Sequence, residues 1–202
     1  MNSRDSILAA VKKSQPGLVA LPEQAAAPLS RNNMERFQSV LESIGGKVYT
    51  NVKEEEIRAS IGSLFPQAKR VVSVMNSVNS YVVNDAVHHS FEDVDVAIIK
   101  AQFGVAENGA VWVTEEDLQI RVLPFICQHL AIILKEDHIV GTMHDAYDKI
   151  GNADYGFGVF IAGPSKTADI EQSLVLGAHG PLSAHVFIIK NQSSVNGVPD
   201  PF

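Results

Sequence analysis

Five short runs in this chain are apolar at almost every position, and they constrain its fold more than any other feature. The runs are VAIIKAQF at 96–103, AVWV at 110–113, LAIIL at 130–134, GVFIA at 158–162 and HVFII at 185–189. Helical segments separate several of them. Strands that are apolar on both faces are covered on both faces, which is typical of a parallel sheet between helices. The sequence therefore predicts an α/β fold with a mostly parallel sheet and flanking helices.

A β-hairpin is predicted between the first two of these runs. The tripeptide Glu107-Asn108-Gly109 separates them, and Asn-Gly readily adopts the positive φ values of a type I′ turn. The hairpin adds antiparallel character to the predicted sheet.

Segments that contain proline and glycine divide the chain into three parts. Residues 1–31 are predicted to form a helix over 3–13, capped by Ser3 or Asp5, followed by an extended arm with three prolines. Residues 32–190 form the α/β domain, and the polar residues 191–202 form a flexible tail. The arm either packs on a second copy in a homodimer or is a loose terminus.

In the first part of the domain, the spacing of apolar residues alternates between that of helices and that of strands. The spacing predicts a helix that ends at Gly45-Gly46, a strand at Val48-Tyr49, a helix over 54–64 and a buried strand over 70–74. In the 54–64 helix, Ile57, Ile61 and Leu64 are expected to face inward.

Charge and cysteine content exclude several functional classes. The 202 residues carry a formal charge of -7 and one cysteine, Cys127. An intramolecular disulfide, a cysteine-ligated iron–sulfur cluster and a CxxC zinc site are excluded, and no metal site is predicted. The negative charge argues against a nucleic-acid binder. With no long apolar stretch and no signal peptide, the chain is expected to be cytoplasmic, without a membrane span.

The densest polar segment is GPSKTADIE at 163–171, which directly follows the GVFIA run. Its candidate anion-binding residues are Ser165, Lys166, Thr167, Asp169 and Glu171. Ligands of open α/β sheets bind at the carboxyl ends of strands, where such segments are expected. A helix beginning near Thr167 would present free N–H groups to an anion. The alternative is a simple helix cap.

Two further segments carry candidate catalytic residues. Glu107 is a candidate nucleophile or general base, with Asn108 and Gly109 beside it to contact a substrate, or else a solvated turn residue. His179 lies between Gly177 and Gly180 and is a candidate proton shuttle, ligand contact or turn residue.

Together, GVAENGAVWV, LPFICQHLAIIL and GPSKTADIEQSLVLGAHGP resemble the lactate-utilisation protein C family, the small LUD-domain proteins, over roughly residues 37–189. The resemblance implies a fold related to sugar-phosphate isomerases and CoA transferases. It also implies action with two iron–sulfur partner proteins in the bacterial oxidation of L-lactate to pyruvate, with no cofactor in this chain. The related CoA transferases use a glutamate in a glutamate-glycine turn, and the sequence around Glu107 is similar to it.

The residues and the resemblance together are compatible with three alternative functions. The chain is an accessory component of L-lactate utilisation, or a stand-alone enzyme that binds a carboxylate, CoA ester or sugar phosphate at the strand ends, or a sensor that binds such an anion without turnover.

Overall fold

The computed structural model describes residues 2–17, 19, 32–74, 91–168 and 174–190. Its α-helices are α1 (Ser3–Lys13), α2 (Asn33–Ser43), α3 (Ile57–Leu64), α4 (Glu115–Leu118), α5 (Leu123–Ile126) and α6 (Met143–Ile150), with short 3-10 helices at Glu54–Glu56 and Glu136–His138. Its strands are β1 (Lys47–Val52), β2 (Val71–Ser73), β3 (Val96–Lys100), β4 (Phe103–Val105), β5 (Ala110–Thr114), β6 (His129–Lys135), β7 (Ile139–Val140), β8 (Gly158–Ile161), β9 (Lys166–Ala168), β10 (Leu174–Leu176) and β11 (Ser183–Ile189).

The main sheet has five strands in the order β1-β11-β6-β3-β2, and every pair is parallel. Its central strands β3, β6 and β11 are buried almost throughout, because one face contacts α3 and the other contacts α2, α4 and α5. The predicted α/β fold with a mostly parallel sheet is confirmed. The likeness to sugar-phosphate isomerases and CoA transferases stays a prediction.

A second sheet of four strands, in the order β7-β4-β5-β8, packs beside the first. It contains the predicted hairpin, with Phe103 opposite Trp112 and Val105 opposite Ala110. A separate two-stranded ribbon pairs β9 with β10 in antiparallel fashion.

Three of the five apolar runs lie wholly or partly outside the main sheet, and one of them, AVWV, is β5 of the second sheet. The VAIIKAQF run is two strands, because the chain leaves β3 at Ala101 and enters β4 of the second sheet at Phe103. The GVFIA run is β8, which is half-buried and antiparallel to β5. An apolar run shows that a strand is covered, but not which sheet covers it.

The helices follow the predicted pattern with local differences. Asn2, rather than Ser3 or Asp5, caps α1 by accepting hydrogen bonds from the N–H groups of Arg4 and Asp5. In α3 the buried residues are Ile57 and Ile61, whereas Leu64 is 36% exposed.

Helix α1 has no buried residue: Ile7, Leu8 and Val11 share one face and are each more than half exposed. Most of the predicted arm and the whole predicted tail lie outside the described residues. None of the described helices is long and apolar enough to cross a membrane.

Candidate functional site

The Glu107 segment forms a four-residue turn, 106–109, between β4 and β5. Gly109 has φ +68°, but Asn108 does not take a positive φ, so the predicted type I′ turn is wrong. The Asn108 carboxamide oxygen instead accepts the N–H of Ala110 at 3.0 Å. A Cβ on Gly109 would lie 2.9 Å from the backbone nitrogen of Leu41. Glycine therefore lets the turn pack directly on α2.

Glu107 is exposed at this turn and ties it to α6. Its Oε2 accepts the N–H of Met143, the first residue of α6, at 2.8 Å. A carboxylate is favourable there because free N–H groups and the positive dipole end of a helix meet it. Oε1 makes no hydrogen bond to another described residue. Glu107 thus has a structural contact and one carboxylate oxygen left for a ligand.

The GPSKT segment does not begin a helix. Lys166 and Thr167 lie in β9, paired with Leu176 and Val175 of β10. The predicted helix start near Thr167 is therefore wrong, because long-range strand pairing sets the conformation there. The anion-binding role of Ser165, Lys166 and Thr167 stays a prediction. Asp169 and Glu171 lie outside the described residues.

Ser165 and the bend that contains His179 come together as neighbours. The Ser165 carbonyl accepts the N–H of Gly177 at 3.0 Å, and the Ser165 N–H donates to the Pro181 carbonyl at 2.9 Å. Gly180 faces the Ser165 side chain, since a Cβ on Gly180 would be 3.1 Å from Ser165 Cβ. His179 is exposed in this bend. Two of the three predicted segments therefore form one surface, made of Ser165 and the 177–181 bend, which we call the Ser165 surface.

This surface lies at the amino ends of the parallel strands, not at their carboxyl ends as expected. Pro181 comes just before β11, and the next residue, Leu182, donates its N–H to the carbonyl of Gln128 just before β6. The Lys166 ammonium lies beside Gly45, between α2 and β1. The expectation failed because the segment follows β8 of the second sheet, and the rule about carboxyl ends applies to the parallel sheet.

The Glu107 turn and the Ser165 surface both contact the end of α2, at Leu41 and at Gly45. Among the described residues, no hydrogen bond or ion pair joins Glu107 to Ser165, Lys166, Thr167 or His179. Lys166 also has a structural role, because a cation is favourable at the carbonyl end of a helix.

A polar network that was not predicted from the sequence lies at the amino ends of the same parallel strands, on the face of the sheet that α3 covers. Ser183 Oγ is 2.8 Å from Nδ1 of His129 and 3.0 Å from Nε2 of His185. Nδ1 of His185 is 3.1 Å from the Tyr49 hydroxyl. Each of these groups can donate once and accept once, so the network forms a continuous chain of hydrogen bonds.

Burial keeps these histidines neutral at pH 7. Burial, with smaller contributions from Lys47 and His129, lowers the pKa of His185 to about 4. Burial also lowers the pKa of His129, against the opposing effect of the Asp95 carboxylate. The ring of Phe65 stacks on His129 with centroids 4.5 Å apart. The one signal in the sequence was a histidine at or just before two apolar runs that become neighbouring strands.

The cysteine lies in the core. Cys127 is 2% exposed, and burial raises the pKa of its thiol to about 12. The thiol is therefore protonated and out of reach of an external ligand. Among the described residues, no group of three or more histidine, cysteine, aspartate or glutamate side chains is placed to hold a metal ion.

Comparison with known proteins identifies relatives of this chain. Residues 80–189 match the model of the LUD domain. Lactate utilization protein C of Geobacillus thermodenitrificans is 29% identical over 145 residues, covering 69% of this chain and 59% of that protein. The protein of the same name in Deinococcus radiodurans is 25% identical over 182 residues, covering 83% and 85%.

Other matches are shorter, and one is to a solved structure. Lactate utilization protein C of Bacillus pumilus is 28% identical over 50% of this chain and 45% of that protein. The chain thus spans about half the length of the Bacillus and Geobacillus relatives. The crystal structure of a DUF162 family protein from Deinococcus radiodurans has the same fold, with a TM-score of 0.58 at 17% identity over 80% of this chain and 99% of that one. Since the LUD domain model matches more than half of the sequence, this chain belongs to the LUD domain family.

Proposed function

We propose that this chain is a cytoplasmic component of a bacterial L-lactate utilisation system, acting with iron–sulfur proteins in the oxidation of L-lactate to pyruvate. The observation that carries the proposal is the alignment with lactate utilization protein C of Deinococcus radiodurans, which extends over most of both chains. Oxidation of lactate to pyruvate releases two electrons and two protons, and the electrons require a carrier.

The buried cysteine supports a division of labour between chains. A cluster needs accessible thiolate ligands, and Cys127 is a buried, protonated thiol. We therefore expect this chain to contain no cluster of its own and the electron carriers to be in its partners.

Exposed apolar side chains support an assembling role. Phe125 and Leu182 are 41% and 44% exposed near the Ser165 surface, and Leu176 is 48% exposed. Leu176 precedes Gly177, and Leu182 packs against Gly177. A Cβ at position 177 would lie 2.3 Å from the Leu182 side chain, so only glycine fits there. Contiguous apolar side chains at a surface are typical of protein interfaces.

The test is affinity purification of the full chain, tagged at its native locus, from cells grown on lactate. Stoichiometric, cysteine-rich partners that contain iron are expected by mass spectrometry and iron assay. Phe125→Ser should reduce their recovery, whereas Tyr147→Ser, which changes an exposed aromatic residue on α6, should not. A clean eluate without iron would contradict the proposal.

A second candidate function is binding of a small anion, with or without turnover. The contact of Ser165 with the 177–181 bend, and the Lys166 ammonium beside that surface, favour it. Thermal-shift titrations with lactate, acetyl-CoA and ribose 5-phosphate test this function. Lys166→Gln should remove any stabilisation by the ligand, and Lys12→Gln on α1 is the matched control. An equal shift in both variants would exclude Lys166 as an anion contact.

We also propose that α1 mediates a homodimer, because Ile7, Leu8 and Val11 on its apolar face are each more than half exposed. Replacing Ile7, Leu8 and Val11 together with serine should convert a dimer to a monomer in light scattering. A monomeric native chain, or a dimeric variant, would contradict this proposal.

A further inference from the structure

A cavity of about 380 Å³ lies between α3 and the strands β2 and β3, away from the predicted site. We propose that this cavity binds a small organic anion with an apolar body, whose charged group is held by Arg58 and Lys69. The volume is within the range of small-molecule pockets, which is about 300–1,000 Å³. The inference does not depend on the proposed role in lactate utilisation.

The cavity exists because one short helix covers a wide sheet face. Of the described helices, α3 alone contributes to the core on this face. A helix with its side chains is about 10 Å wide, whereas five strands spaced about 4.8 Å apart extend about 19 Å across the sheet. Among the described residues, no other helix covers the sheet beside α3 at its β2 edge.

One part of the cavity lining is apolar, whereas Ser73 and two cations line the rest. Ile61 of α3 and Phe65, just after its end, form one side of the apolar part, and Val71 and Ile98 of the sheet form the other. Gly62 also lines the cavity, and a Cβ on it would meet nothing within 4 Å. The absence of a side chain at Gly62 thus leaves space next to the apolar floor.

The charged groups of the lining are both positive. Arg58 and Lys69 line the cavity, and no aspartate or glutamate in the described part of the chain does. Arg58 forms no ion pair with another described residue. The nearby Asp95 carboxylate accepts the backbone N–H groups of Lys69 and Arg70 at 2.6 and 2.8 Å, so it is already bonded. In a chain with a net charge of -7, this cavity favours an anion.

Together these features select a ligand class. The apolar walls favour a hydrocarbon or aromatic body, and the guanidinium and ammonium groups favour a carboxylate, sulfonate or phosphate. An arginine can bind such a group through two parallel hydrogen bonds. An amphipathic monoanion can therefore contact the apolar side chains of the cavity and the two cations at the same time.

Anilinonaphthalene sulfonate is a suitable probe, because it is an aromatic anion whose fluorescence rises in apolar surroundings. We expect saturable binding to the full chain at one site, weakened by salt and displaced by octanoate. The double variant R58Q/K69Q should weaken binding about tenfold, as two partly exposed charge contacts would. Gly62→Leu should fill the cavity and weaken binding at least as much.

Arg36→Gln is the matched control, since Arg36 is an exposed cation on α2, far from this face. Circular dichroism shows whether each variant is folded. The proposal requires weaker binding in both R58Q/K69Q and Gly62→Leu with native affinity in Arg36→Gln. Unchanged affinity in either test variant, or no binding of the dye and of octanoate to the native chain, would overturn it.

Discussion

Mild acid should destabilise this protein through His185, above the pH at which carboxylates titrate. His185 is 2% exposed, and both of its ring nitrogens are within hydrogen-bond distance of a partner, the Tyr49 hydroxyl and Ser183 Oγ. Protonation would place a cation in this buried network next to Lys47. The folded state therefore resists a proton that the unfolded chain accepts.

The change in the free energy of unfolding with pH follows from the difference in the pKa of His185 between the folded and unfolded states. Burial lowers the pKa of His185 to about 4 in the folded state, whereas an unfolded histidine has a pKa of about 6.5. Between these values the unfolded state binds more protons, so the free energy of unfolding falls as the pH falls. The effect is absent at pH 7 and reaches about 2 kcal/mol at pH 5 and about 3 kcal/mol at pH 4.

Neighbouring groups do not reverse this sign. The pKa of His129 is also lowered by burial, which adds to the loss. Hydrogen bonds from the Arg70 and Lys69 amides hold the pKa of Asp95 below its usual value. Asp95 therefore stabilises the fold until the pH falls below about 4. Measurements between pH 7 and 5 thus report the histidines.

Urea unfolding at pH 7, 6 and 5, followed by the fluorescence of the buried Trp112, measures the effect. We expect the native chain to lose about 2 kcal/mol or more between pH 7 and 5, and His185→Gln to lose about 2 kcal/mol less. His144→Gln, which changes an exposed residue of α6 outside the network, should behave as the native chain does. The same pH dependence in His185→Gln and the native chain would refute the reasoning.

Three other substitutions test local features of the fold. Gly62→Ala should stabilise the protein by about 0.5–1 kcal/mol, because helical alanine is favoured over glycine and the added methyl group meets nothing. Gly109→Ala should destabilise it by about 2 kcal/mol or more, because φ is +68° and the methyl group would meet Leu41; thermal unfolding compares the two variants. Glu107→Gln should cost about 0.5–1 kcal/mol in urea unfolding, because the N–H of Met143 loses a charged acceptor; no loss would show that this contact is not stabilising.

Local pattern was sufficient to predict the centre of the fold. LAIIL and HVFII became β6 and β11, since burial on both faces requires an apolar residue at every position. The Glu107 hairpin was predicted for a similar reason, because an Asn-Gly turn between apolar runs is a short-range signal. Its turn type was missed, because packing of Gly109 on α2 is a long-range contact.

The remaining errors arise where distant segments decide the structure. Thr167 is in a strand because β10 pairs with it, and no spacing within GPSKT reports that pairing. Ser183 bonds to His129, 54 residues earlier in the chain. Each of these residues alone is an ordinary position at the start of a strand, so the network becomes visible only when β6 and β11 are adjacent.

The Ser165 surface and the cavity under α3 lie in different parts of the molecule. The LUD domain match covers residues 80–189, which include the Glu107 turn and the Ser165 surface. Arg58, Gly62 and Lys69 precede this region, and they line the cavity on the α3 face. Dye binding that depends on Arg58 and Lys69 but leaves partner recovery unchanged would show that the two surfaces act independently.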